Sequence, residues 1–87
     1  VLIVSNNSIG RLRLKVVVPI TDPAATLRSW HVRIHPDATN GLSKSSIADC
    51  FQIRSIFNDR FIKRLGVLSM DDMDEVKIGL AKVLDLL

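Results

Sequence analysis

Apolar and polar positions alternate along two stretches of this chain, and a third stretch repeats with helical spacing. Across 11–21, Leu12, Leu14, Val16, Val18 and Ile20 fall on one side of an extended chain. Arg11, Arg13, Lys15, Val17, Pro19 and Thr21 fall on the other. The pattern predicts a strand with an apolar core face and a basic outer face. Pro19 has no N–H for a ladder, so that end is expected at an edge or a bulge, and Asp22-Pro23 opens a loop. Across 29–35, Trp30, Val32 and Ile34 point inward while His31, Arg33 and His35 point outward. The continuous apolar run closed by Asn6, Asn7 and Ser8 predicts a strand over 1–6. Two more strands are expected. One covers 46–56, kinked around Asp49-Cys50-Phe51, and a short one covers 61–68. Ser69 reads as an N-cap with Asp72 three positions on. Met73, Val76, Leu80, Val83, Leu84 and Leu87 then predict a helix over 70–87, its acidic first turns suited to the positive end of the helix dipole.

Short strands closed by one helix describe a mainly β fold, a small and strongly bent sheet or barrel capped by that helix. With 87 residues the chain makes a single domain, 1–87. A domain of this size buries only about 60–65% of its unfolded surface, so a partner that covers more of it is expected to help. The net charge of +3 conceals an asymmetry. Residues 70–87 carry Asp71, Asp72, Asp74, Glu75 and Asp85 against Lys77 and Lys82, net −3. Residues 1–69 carry ten Lys and Arg against Asp22, Asp37, Asp49 and Asp59, net +6. A basic body with an acidic appendix favours a polyanionic partner for the body, against the plainer explanation of a mixed solvated surface. Cys50 is the one cysteine, which excludes an internal disulfide and suits a reducing compartment. No apolar run approaches the ~20 residues of a membrane helix, and no secretory signal pattern opens the chain. A cytoplasmic protein is expected.

The ordered set Val1-Leu2-Ile3-Val4, Val16-Val17-Val18-Pro19-Ile20-Thr21, Trp30-His31-Val32-Arg33-Ile34, Gln52-Ile53-Arg54-Ser55-Ile56 and the terminal helix resembles the MazF/PemK family. These are toxins of type II toxin–antitoxin pairs that cleave messenger RNA. The resemblance implies an SH3-like barrel with a C-terminal α-helix, the fold that CcdB-type toxins also use. It also implies that residues 1–6 correspond to the family's second strand, which an Arg-Pro directly precedes. Since the sequence begins at Val1 without Met, in what reads as mid-strand, the family's first strand and that catalytic arginine are expected to lie upstream of residue 1. Whether this chain by itself is an enzyme is therefore left open. The Arg/Asp pair of PemK-type members near 49–51 is not reproduced by Asp49-Cys50-Phe51.

Cleavage of RNA at its 2′-hydroxyl without metal needs a base, an acid for the leaving 5′-oxygen, and donors to the phosphorane. The resemblance implies that Thr21 offers a hydroxyl to the phosphate; as residues alone, a strand-end threonine that bonds a turn is the simpler account. Arg11, Arg13 and Lys15 form a stripe able to track phosphates. Arg13 lies eight positions from Thr21, about 26 Å along a straight strand, too far to replace the arginine. Asn6 and Gln52 can read base edges of single-stranded RNA, and Asn6 equally suits a turn. His31 and His35 stand ~13 Å apart on one strand, too far to share an ion, and neither a metal nor a cofactor is expected. Trp30 and Phe51 read as core aromatics and Cys50 as a buried structural thiol.

The expected function is a metal-independent endoribonuclease acting on single-stranded mRNA as a homodimer. Its partner would be a small acidic antitoxin, with operator DNA met through the antitoxin complex. Two other functions stay open: a non-catalytic CcdB-like or DNA-binding module, and a degenerate remnant that only binds antitoxin.

Overall fold

The computed structural model describes residues 1–6, 13–23 and 26–86. Among these residues the strands run in the order β1 (Leu2–Ile3), β2 (Leu14–Val18), β3 (Ile20–Thr21), β4 (His31–Ile34), β5 (Ser46–Asp49) and β6 (Arg54–Phe57). A helix α1 (Met70–Val83) closes the chain. They form two antiparallel three-stranded sheets, β1-β2-β6 and β3-β5-β4. The molecule is mainly β with a C-terminal helix, consistent with the small SH3-like barrel expected.

The two sheets arise from one ribbon that bends. β2 and β3 are a single extended run interrupted at Pro19, and β5 and β6 are a second run interrupted by a 3-10 turn at Cys50–Gln52. The interruptions face each other, and the Asp49 N–H donates to the Pro19 carbonyl at 3.0 Å across the corner. Proline withholds a donor from the ladder, so the break falls where none is required. Asp49 makes the opposing turn, its carboxylate accepting from the Phe51 N–H at 3.2 Å and from Gln52 Nε2 at 3.0 Å. The expected continuous strands over 11–21 and 46–56 are thus each two strands around a corner.

Val18, Val32, Ile34, Ala48, Cys50 and Val76 form the core, with Leu2, Ile20, Trp30 and Leu80 packed against it. On β4 the expected alternation holds, with Val32 and Ile34 buried and Arg33 exposed. It fails on β2. Val17, expected outward, is 0% exposed, and Leu14, expected inward, is 43% exposed. The register pairs Val17 with Ile3 on one side and Arg54 on the other, and long cross-strand neighbours of this kind can cover a small β-branched side chain. Leu14 sits opposite Phe57 at the far end of the sheet, beyond the helix-covered core, and both stay exposed.

The strand expected over 61–68 does not form. That segment holds to its neighbours through an isolated bond, the Val67 N–H donating to Thr39 O at 2.7 Å, and Ile62 is 98% exposed. Close backbone approach fixes it instead. Gly41, in the left-handed region at φ 71, lies against the Leu65 carbonyl, and Gly66 lies against Thr39 and Asn40.

α1 packs over β4 and the 3-10 turn. Ser69 is its N-cap, accepting from the Asp72 N–H at 3.1 Å. It ends four residues before the expected 87. Asp85 adopts φ 58, and the Leu86 N–H returns to Ala81 O while the Asp85 N–H reaches Lys82 O. This is a Schellman motif with aspartate in glycine's usual place. Local backbone closure outweighs the apolar spacing of Leu84, which is left exposed.

Gly79 sets how close the helix comes to the sheet. A Cβ there would stand 2.7 Å from Cys50 Sγ and 3.3 Å from the Trp30 carbonyl. In an exposed helix Gly→Ala stabilises by about 1 kcal/mol. Here Gly79→Ala is expected to destabilise by about 1–3 kcal/mol through overpacking, as a lowered urea midpoint; a raised midpoint would show the contact is not tight.

Candidate functional site

Thr21 stands exposed at the end of β3, directly opposite Ile47 of β5. Arg33 of β4 faces the same Ile47 from the other side. Because partners across a ladder share a face, Thr21, Ile47 and Arg33 lie in a row, Thr21 and Arg33 about 10 Å apart at two strand spacings. The next pair on that face is His31 and Asp49. Their side chains approach to 3.7 Å, His31 Nε2 to Asp49 Oδ1. His31 Nδ1 accepts from the Arg28 N–H at 2.9 Å, which leaves the proton of the neutral ring on Nε2, toward Asp49. The Nδ1 bond holds the 28–31 turn, and Nε2 lies near the Asp49 carboxylate on β5. His35 is exposed and shares a hydrogen bond with Ser45 Oγ at 2.9 Å.

Beside Thr21 opens a shallow cleft of about 500 Å³, walled by Leu42, Ser43, Lys44 and Leu65. Its far wall is a rigid loop. Asp37 Oδ1 accepts from the N–H groups of Thr39 and Asn40, each at 2.8 Å, and those backbone bonds hold its carboxyl below the usual range. Asn40 is buried, donates to His35 O at 2.8 Å and accepts from the Leu42 N–H at 3.0 Å. Across the cleft mouth Lys44 Nζ meets Asp22 Oδ1 at 2.7 Å.

The other residues named from the sequence are not gathered here. Arg11 lies outside the described residues. Arg13 is exposed just before β2, its carbonyl accepting from the Asn58 N–H, and Lys15 is paired in register with Ile56; both belong to the β1-β2-β6 sheet. Asn6 is exposed beyond β1 and, like Lys15, is engaged within the fold. Gln52 is exposed in the 3-10 turn with its amide held by Asp49. Arg33 and Lys44 are cations on the Thr21 side of the corner, and neither was among the candidates from the sequence. For Arg33 the signal existed, since its alternation parity is that of an outward strand residue. For Lys44 there was none, because only the fold brings 44 to 22.

Phe51, expected in the core, is 63% exposed, its ring 5.3 Å from the half-buried Trp30. Cys50 is buried, with Sγ 3.6 Å from the Val76 carbonyl. Burial, and after it the Asp49 charge, push its thiol above the ordinary value. Among the described residues no three or more His, Cys, Asp or Glu gather as a metal site.

The fold and this face define a small β-barrel with a hydroxyl, a guanidinium and an ammonium at one sheet end. Residues 1–84 match the family described as PemK-like, MazF-like toxin of type II toxin-antitoxin system, and the chain belongs to that family. Solved structures share the fold. The Mycobacterium tuberculosis toxin MazF-mt6 superposes with a TM-score of 0.82 at 24% identity, over 97% of this chain and 83% of that one. An endoribonuclease in complex with its cognate antitoxin, from a mycobacterial species, gives 0.81 at 26% identity, over 98% and 79%. A further mycobacterial endoribonuclease gives 0.76 at 23%, over 95% and 76%. Among curated proteins no match is found. No helix of the described residues is long and apolar enough to cross a membrane.

A raised thiol pKa leaves less thiolate in the fold than in the unfolded chain, so the associated stability is present below the unfolded pKa and is lost as pH rises through the folded one. At pH 8, Cys50 is expected to react with a disulfide reagent far more slowly in the native protein than in urea. Equal rates would mean that the thiol is accessible and available as a nucleophile.

Proposed function

We propose that this chain is the endoribonuclease toxin of a type II toxin–antitoxin pair, and that it cleaves single-stranded RNA at the sheet face centred on Thr21. The observation that carries the reading is the row of Thr21, Ile47 and Arg33, an exposed hydroxyl and an exposed guanidinium on one face of the β3-β5-β4 sheet. The 2′-oxygen forms a bond to phosphorus while the bond from phosphorus to the 5′-oxygen breaks. The 2′-hydroxyl proton leaves to a base and the 5′-oxygen takes one up, giving a 2′,3′-cyclic phosphate and a 5′-hydroxyl. Thr21 donates to a phosphorane oxygen, and Arg33 neutralises charge that grows there.

The reading includes a homodimer and an acidic antitoxin. Phe57, Ile62 and Met70 are exposed apolar groups that a second subunit or antitoxin segment would cover, and Arg60, Lys63 and Arg64 near them in the chain suit an acidic partner. The mycobacterial relative bound to its antitoxin supports a partner of that kind. With mRNA as substrate, the cytoplasm is the place of action.

The test is incubation with single-stranded RNA in EDTA, using this chain and the chain extended upstream by Arg-Pro. Fragments ending in 2′,3′-cyclic phosphate are expected, and Thr21→Val is expected to slow their formation by about 10²-fold, the usual cost of one oxyanion donor. RNA left intact by both forms, with antitoxin still bound, would favour the non-catalytic remnant. Intact RNA with inhibited gyrase would favour a CcdB-like module.

A further inference from the structure

The cleft beside Thr21 holds an ion pair that looks unnecessary for the fold. Lys44 and Asp22 meet at 2.7 Å with side chains 67% and 75% exposed. A pair so exposed contributes little to stability, because water screens it and two flexible side chains must be held. Its surroundings, by contrast, are tightly built. The loop before it is fixed by Asp37 and the buried Asn40, Gly41 is pressed to the Leu65 backbone, and Ser46 Oγ donates to the Lys44 carbonyl at 3.1 Å. The backbone that carries Lys44 is therefore held while its ammonium is not. Thr21, Asp22 and Lys44 line the same cleft, so the ammonium is kept at that cleft by a carboxylate that any stronger anion can replace.

We infer that Asp22 is an internal stand-in for a substrate phosphate. A phosphodiester of single-stranded nucleic acid entering at Thr21 takes Lys44 from Asp22, and its nucleobase lies against Leu42 and Leu65 in the cleft. This rests on the proposed nuclease reading and adds to it a binding residue, Lys44, and a brake, Asp22. The open cleft sets apolar Leu42, Leu65 and Ile20 beside Thr21, Ser43 and Lys44, an apolar surface for a base next to donors for a phosphate. The exchange is one charge-assisted contact for another, so the ammonium is never left unpaired. What differs is Asp22. Once released, its carboxylate stands next to the bound phosphate and repels it, so loosely held anions are turned away unless further contacts fix them.

The experiment measures binding of a 2′-deoxy oligonucleotide, which lacks the attacking hydroxyl, by fluorescence anisotropy across a series of NaCl concentrations. Both positions are exposed, so the variants are expected to fold, and circular dichroism checks this. Lys44→Met is expected to weaken binding at low salt about tenfold and to reduce the slope of log affinity against log salt by about 0.7, the value of one single-strand phosphate contact. Lys44→Arg is expected to keep the slope. Asp22→Asn, which frees Lys44 and removes the repulsion, is expected to bind several-fold more tightly than the parent chain. An unchanged slope in Lys44→Met, or weaker binding by Asp22→Asn, overturns the inference. Metal-free RNA cleavage run in parallel separates the two claims. Cleavage with no Lys44 effect sinks only the stand-in, while a Lys44-dependent slope with no cleavage even by the chain extended upstream by Arg-Pro supports the stand-in and sinks the nuclease. A parent chain that binds no oligonucleotide sinks both.

Discussion

The corner at Pro19 and Asp49 is the constraint on which the rest of this structure depends. One residue lacks a backbone donor, the opposing residue caps a tight turn with its own carboxylate, and a single N–H to carbonyl bond at 3.0 Å ties them together. Without the break, β2 and β3 would continue as one flat strand. With it, the chain folds back around a core made largely of Val18, Ile34, Ala48 and Val76. The same carboxylate that makes the turn holds Gln52 and faces His31, so the corner also organises the polar face next to Thr21.

That geometry separates two sets of basic residues. Arg13, Lys15 and Arg54 belong to the β1-β2-β6 sheet, whereas Arg33 and Lys44 stand on the Thr21 side of the corner. A polyanion that crossed the bend would meet both groups. The chemistry proposed here concerns the second, because a hydroxyl can help only at the phosphate it touches. The first is better suited to holding flanking backbone, where charge acts through water and falls away with salt.

What the sequence made legible was what local chemistry decides. Pro19 announced a break, Asp49-Cys50-Phe51 announced a kink, Ser69 announced a helix start, and the alternation through Val32 and Ile34 announced a strand with Arg33 outward. What it hid was set by contacts distant along the chain. Residues 61–68 carry the composition of a strand, yet two glycines pressed against the 39–41 and 65 backbones hold the segment without a ladder. Val17 has the parity of a surface residue and is fully buried between the registers of Ile3 and Arg54. Lys44 lies in a loop without periodicity, and nothing short of the folded sheet brings it to Asp22. The family resemblance supplied Thr21 as a candidate, but it could not have supplied these neighbours.

The central claim is that nucleic acid meets this protein on the β3-β5-β4 face beside Thr21. It is tested most directly by titrating the isotopically labelled chain with a 2′-deoxy oligonucleotide and following backbone amide resonances. The largest shifts are expected on Thr21, Asp22, Arg33, Lys44 and Ile47. Shifts confined to β6 and the exposed face of α1, with Thr21 and Lys44 unmoved, would contradict it.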